Sequence, residues 1–272
     1  MGAVMEIQFR RDANDKVDVD ALVERATVRD AGDIRRAAQS IRDFAAENGL
    51  RAALCANIAS KESIVDAEGT TLASDLFGWS TESERWWDDH CLALHSILPR
   101  ACRYESEPFW CNGNGFFTTG FNPYLQQIDH RRFFSMQPGF KAAIVVPVHL
   151  PFAQVSANSF LPEDPDMNDL SDIFARLGGT LAAITRRFIT GYVATMRRKR
   201  RIPSDFELSK REVECLRWAA IGKTDREIAM IIDLSHATIR YHINRASEKL
   251  DAVNRAQTVF KAGQLGYLGA SA

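Results

Sequence analysis

Two four-residue signatures near the C-terminus constrain this chain more than any other feature in it. Ser209-Lys210-Arg211-Glu212 and Thr224-Asp225-Arg226-Glu227 each place a hydroxyl three residues ahead of a glutamate, just before an apolar run. In that spacing the hydroxyl accepts the third amide hydrogen of a helix while the glutamate reaches back to the cap residue's own amide. Two helix starts are therefore specified locally. The first helix should run to Ile221 and stop at Gly222, and the second should bury Ile228, Ala229, Ile231 and Ile232. After a tight turn at Asp233-Leu234, Ser235 caps a third helix reaching about Leu250, and a fourth spans about Arg255 to Gly266.

The third helix carries two different stripes. Ile239, Ile243, Ala246 and Leu250 repeat at helical spacing and face a core, while Ala237, Arg240, Tyr241, Asn244 and Arg245 fall on the opposite side. Two helices joined by a short turn, the second with a polar outer face, can set that second helix in a DNA major groove. Arg240 and Arg245 suit phosphates or guanine edges, Asn244 suits an adenine and Ala237 a thymine methyl. Lys223 and the basic run Arg197-Arg198-Lys199-Arg200-Arg201 suit sequence-independent attraction to phosphate. Net charge is only -1 over 272 residues, but it is unevenly spread. From Arg197 onward there are about 15 Lys/Arg against about 9 Asp/Glu, roughly +6, which leaves the preceding part near -7.

The segment LSKREVECLRWAAIGKTDREIAMIIDLSHATIRYHINRASEKLDAVNRAQTVFKA resembles the LuxR/GerE-type helix-turn-helix domain along its whole length. The likeness is carried by Glu212, Leu216, Gly222, Lys223, Glu227, Ile228, Ala229, Leu234, Ser235, Thr238, His242, Lys249, Leu250, Asn254, Arg255 and Gln257. It implies that the third helix enters the major groove and that the fourth helps the domain dimerise. The implied DNA-facing set is Lys223, Thr224, Ser235, Ala237, Thr238, Arg240, Tyr241, Asn244 and Arg245. Glu212, Leu216, Gly222 and Ile228 take structural roles, and His242 packs or touches phosphate rather than acting in acid-base chemistry.

Upstream, residues 17–48 read as two helical segments meeting near Gly32, with Ile34, Ala38, Ile41 and Phe44 on one face. Gly49 is a natural helix stop, and Leu50 to Ala59 reads as a strand. Thr81 to Leu98 reads as a helix. The prolines and the Asn112-Gly113-Asn114-Gly115 stretch make residues 100–122 loop-rich. Residues 139–150 and 154–160 read as strands joined at Pro151, and a long helix runs from about Leu170 to Met196. The pattern predicts an α+β domain at 1–196, an α/β/α sandwich of helices on an antiparallel sheet. A basic linker follows at 197–206, then the all-α four-helix DNA-binding domain at 207–272.

Residues from about 30 to 195 resemble, in pieces, the autoinducer-binding domain of quorum-sensing LuxR proteins. The pieces are DFAAENGLRAALCANI, TESERWWDDHCLALHSILPRACRYESEPFWCN and GFKAAIVVPVHL. The likeness places Trp86, His90, Leu98 and Trp110 at the family's ligand-facing positions. Where the family has Asp-Pro, with a carboxylate accepting the ligand's amide proton, this chain has Leu98-Pro99; where it has a Trp and then a Tyr, this chain has Trp86 and His90. Losing that acceptor costs a buried amide about 1.5–3 kcal/mol, about tenfold to a few hundredfold in affinity. The departures imply a solo-type receptor for another small apolar molecule, or for none. An ordinary acyl-homoserine lactone receptor, or a ligand-free regulator that pairs with another protein, is the alternative. Most of the other aromatics in this half are expected in the core.

Several function classes find no support. The five cysteines form no CxxC pair and suit reduced thiols, with a redox role for Cys91, Cys102 and Cys111 a minor alternative. His90, His95 and His149 make no metal spacing with them. The N-terminus is too charged for a signal peptide, and no apolar run is long enough to span a membrane. No GxSxG, HExxH, Walker or GxGxxG pattern points to an enzyme, and no cofactor is implied. The expected partners are double-stranded DNA at an inverted-repeat operator, a second copy of the chain as homodimer, and a small apolar signal molecule, all in the cytoplasm.

Overall fold

The computed structural model describes residues 18–59, 62–79, 96–135, 139–196 and 207–269. They form two compact units, N-terminal and C-terminal, each with cores of its own. In the first, α1 (Val19–Arg25) and α2 (Asp33–Glu47) lead into β1 (Leu50–Ala53). Short helices α3 (Leu72–Asp75) and α4 (Ile97–Ala101) precede β2 (Phe109–Asn112) and β3 (Gly115–Phe117). A 3-10 turn at Leu125–Gln127 and α5 (His130–Ser135) follow. The long hairpin β4 (Ala142–Leu150) and β5 (Gln154–Pro162) then leads to the 26-residue α6 (Ser171–Met196).

The strands form one antiparallel sheet in the order β1-β5-β4-β2-β3. Because side chains alternate along a strand, the sheet presents two distinct faces. Ala52, Phe160, Ile144 and Trp110 share one, packed with Ile34, Ile41 and Phe44 of α2 and with Phe174, Leu181 and Phe188 of α6. Phe109, Cys111, Ala143, Val145 and Leu161 share the other, packed with Ile97 and Leu98 of α4, Leu125 and Phe134. Helical segments on both faces make an α/β/α sandwich, and β4 is buried at eight of its nine positions as the apolar run demands.

The structure corrects the sequence reading at three places. The strand expected to reach Ala59 ends at Ala53. Beyond it, two buried side chains of β5 hold the chain. Asn158 Oδ1 accepts the Cys55 amide (3.3 Å), and Ser156 Oγ donates to the Cys55 carbonyl (2.6 Å). The segment 100–122, expected to be loop-rich, contains the β2–β3 hairpin, whose turn is the Asn-Gly stretch itself, with Asn112 Oδ1 accepting the Asn114 amide (2.8 Å). The 3-10 turn and α5 were not anticipated. Most of the helix expected at Thr81–Leu98 lies outside the described residues, while Leu98 belongs to α4.

Burial also sets the chemistry of three of the N-terminal thiols, while Cys91 lies outside the described residues. Cys55, Cys102 and Cys111 share the second apolar cluster. Desolvation pushes Cys55 up to about 12 and the other two well above an ordinary thiol. They stay protonated and weakly nucleophilic at neutral pH.

Candidate nucleic-acid interface

The C-terminal unit consists of α7 (Lys210–Ala220), α8 (Asp225–Ile231), α9 (His236–Lys249) and α10 (Arg255–Gln264). Every one of them starts on a side-chain cap. Ser209 and Thr224 form full capping boxes with Glu212 and Glu227, Ser235 Oγ accepts the Thr238 amide (3.1 Å), and Asn254 Oδ1 accepts the Gln257 amide (2.8 Å). Their ends are equally uniform. The residue after each final turn, Gly222, Asp233, Asp251 or Gly266, takes a positive φ. The next amide then bonds back five residues, as in Lys223 N–H to Trp218 O (3.1 Å) and Leu234 N–H to Ala229 O (3.0 Å). Asp233 and Asp251 adopt this conformation because a short polar side chain tolerates it better than most. The fourth helix stops at Gln264, with Gly266 just beyond it rather than as its last residue.

These local devices fix where the polar stripe of α9 points. Ile239, Ile243 and Ala246 are buried against Cys215, Leu216 and Ile228, so the far side of the helix is open. Ala237, Arg240, Tyr241, Asn244 and Arg245 all lie on that open side and are exposed. Arg245 is steadied by Glu248 (2.8 Å), whereas Arg240 has no side-chain partner among the described residues. Ser235 and Thr238 sit at the helix start with their hydroxyls 2.8 Å apart. Thr224 binds Glu227, and Lys223 Nζ lies 3.8 Å from the same glutamate.

Two ion pairs tie the helices together. Glu212 is buried, and its carboxylate accepts from Lys249 Nζ (2.8 Å) and from the Ser209 amide (2.7 Å). Burial by itself would raise this carboxyl, but the lysine and the amide outweigh it and hold Glu212 below the usual carboxylate range. Arg255 joins the start of α10 to the start of α8, pairing with Asp225 and donating to the Lys223 carbonyl (2.7 Å). Lys261 donates to the carbonyls of Leu250 and Asp251, which closes the C-terminal end of α9. An open groove of about 470 Å³ lies beside the start of α9, lined in part by Lys223, Thr224, Asp225, Arg226, His236 and Arg255. Arg226 and His236 were not singled out from sequence. The sequence signal was their place, two and one residues past the capping residues Thr224 and Ser235, respectively.

Of the expected ligand-facing residues, the two that the structure describes, Leu98 and Trp110, do not come together. Trp86 and His90 lie outside the described residues. Leu98 and Trp110 are both buried, but on opposite faces of the sheet: Leu98 against Phe109 and Cys111, Trp110 in the α2/α6 layer, stacked on Phe117 at 4.0 Å. The β2 residues on the Leu98 side are Phe109 and Cys111. Trp110 Nε1 is buried with no acceptor among the described residues.

An all-α unit with this helix pair and an open basic-polar stripe has the architecture of a helix-turn-helix DNA-binding domain. Residues 207–262 match the family described as bacterial regulatory proteins, luxR family, and this C-terminal domain is a LuxR-family helix-turn-helix domain. The transcriptional activator protein VanR of Vibrio anguillarum is 35% identical over 133 residues, 48% of this chain and 53% of VanR. The transcriptional activator protein LuxR of Aliivibrio fischeri is 29% identical over 130 residues, 47% of this chain and 50% of that protein. The regulatory protein SdiA of Escherichia coli is 41% identical over 64 residues, 24% of this chain and 27% of SdiA. The chain thus spans about half, or less, of the length of these relatives. A crystal structure of Escherichia coli SdiA superposes with a TM-score of 0.48 at 18% identity, covering 92% of this chain and 98% of SdiA. The relatives matched are described as transcription regulators rather than enzymes. Among the described residues no helix is long and apolar enough to cross a membrane.

Proposed function

We propose that the chain is a dimeric, sequence-specific DNA-binding transcription regulator of the bacterial cytoplasm whose N-terminal domain controls the pairing of two C-terminal domains. The observation that carries this reading is the open stripe Ala237, Arg240, Tyr241, Asn244 and Arg245 on a helix whose other side is locked into the core. A helix presented in this way enters a major groove, and two copies related by a two-fold axis meet an inverted-repeat operator. Lys223, Thr224, Ser235 and Thr238 stand at the helix starts, where phosphates approach. Pairing is supported by α10, whose outer side exposes Phe260 (62%) at helical spacing with Ala256 and Gly263, next to the exposed Val253 (86%) just before the helix. The long helix α6 is the second pairing element, and a ligand acts by favouring one dimer arrangement.

The experiment is a gel shift with duplexes that the protein itself selects from a random pool. Replacing Arg240 and Asn244 together by alanine should remove the preference for the selected sequence while leaving weak, salt-sensitive binding, since each bidentate base contact is worth about 1–3 kcal/mol. Unchanged discrimination refutes the reading.

For the sensory domain, the proposed ligand is a small apolar molecule other than an ordinary acyl-homoserine lactone, or none. Leu98 supports this: it is packed among Ile97, Phe109, Cys111 and Val145, with no carboxylate at that position to accept an amide proton. Thermal unfolding of protein made in a lactone-free host, with and without a lactone panel, tests it, because a native-state ligand raises the midpoint by mass action. A clear rise at micromolar lactone would restore the ordinary quorum-sensing role.

A further inference from the structure

We infer that Arg226 and His236 form a phosphate clamp on the flank of α9, separate from the residues that read bases. This inference rests on the DNA-binding reading above. The two side chains come from different helices yet line one groove, together with Lys223, Thr224, Asp225 and Arg255. The groove's only carboxylate among these is Asp225, and Arg255 already binds it. Arg255 is further held by the Lys223 carbonyl (2.7 Å), and Lys223 stands 3.8 Å from Glu227. Arg226 and His236 are both exposed, and neither has a side-chain hydrogen bond or ion pair among the described residues. The groove thus has a cationic excess whose unengaged donors are these two.

The helical wheel says which part of DNA they meet. At 100° per residue, Arg240, Tyr241 and Asn244 span one side of α9, whereas His236 lies between that side and the buried side of Ile239 and Ile243. It is turned toward the start of α8, where Arg226 stands. When α9 lies in the major groove, the preceding helix crosses the sugar-phosphate backbone. A cationic groove between the start of α8 and the flank of α9 faces that backbone, not a base edge. Its ligand is a DNA phosphodiester, held by a guanidinium and an imidazole.

The test measures the affinity of the full-length protein for two duplexes across a salt series, one duplex selected from a random pool and one scrambled. Arg226→Ala should weaken both by the same factor and reduce the slope of log K against log salt by about 0.9, the loss of one phosphate contact. Arg226→Lys should restore the slope. His236→Ala should also weaken both duplexes equally. Loss confined to the selected duplex would make these residues base readers and overturn the proposal, as would affinities unchanged in both. Wild-type protein that binds neither duplex would instead overturn the DNA-binding reading on which the clamp rests. Both residues are exposed, and an unchanged thermal midpoint shows that each variant is folded.

Discussion

Lys249 Nζ lies 2.8 Å from the carboxylate of Glu212, joining the last turn of α9 to the first turn of α7. The same ammonium donates to the Glu207 carbonyl at 3.0 Å, and the same carboxylate closes the capping box on the Ser209 amide at 2.7 Å. The pair thus holds α9 against α7. Removing one partner strands a buried charge, a strongly destabilising change for interior pairs. Lys249 is a quarter exposed, which softens the effect. Lys249→Met should destabilise the C-terminal domain by about 2–3 kcal/mol. Urea unfolding followed by circular dichroism measures it, and a loss below 0.5 kcal/mol would show the pair to be dispensable.

The same carboxylate makes the domain acid-sensitive. Glu212 is held below its unfolded-state value, ordinarily about 4.3. Its stabilisation is therefore complete above that value and disappears as pH falls through the lower folded value. Wild-type protein should lose stability below about pH 4, and Glu212→Gln should lose less over the same interval while starting lower at pH 7. Urea midpoints between pH 3 and 7 compare the two, and parallel curves would remove Glu212 from the acid response.

Gly191 of α6 sits where a Cβ would come within 2.4 Å of the Val28 carbonyl oxygen. The obstruction is backbone, so it yields only if the helix moves away from the segment after α1. Gly191→Ala should destabilise the N-terminal domain by about 1–3 kcal/mol despite alanine's better helix propensity. Neutral behaviour in thermal unfolding would mean that α6 slides freely past Val28.

Trp110 gives a graded expectation. Its ring stacks on Phe117 at 4.0 Å, but its buried Nε1 has no acceptor among the described residues. Trp110→Phe keeps most of the ring and deletes the unpaired donor, so stability should stay within about 1 kcal/mol of wild type. Trp110→Ala opens a cavity and should cost about 3–5 kcal/mol. A large loss in the phenylalanine variant would show that the indole N–H is satisfied after all.

The C-terminal helix-turn-helix domain was legible almost residue by residue, whereas the N-terminal domain was legible only in outline. Ser209, Thr224 and Ser235 mark helix starts because the amides that donate to their hydroxyls lie three residues away, and Gly222 marks an end for the same local reason. The stripe on α9 follows from 3.6-residue spacing once the helix is given. In the N-terminal half, the hairpin and α6 announced themselves through apolar periodicity. The β2 strand did not, because its pairing with β4 joins Phe109 to Val145 and Trp110 to Ile144 across more than thirty residues.

What the sequence by itself determined is therefore the set of helices whose hydrogen bonds close within a turn, and with them the open face of α9. Only the tertiary structure decided which side of the sheet each strand residue occupies. Side chains alternate with a period of two, so a register one residue different would put Trp110 beside Leu98 and Cys111 among the helices of the other layer. That choice is made by long-range strand pairing and by the two apolar layers competing for each face, and no window of local sequence contains it.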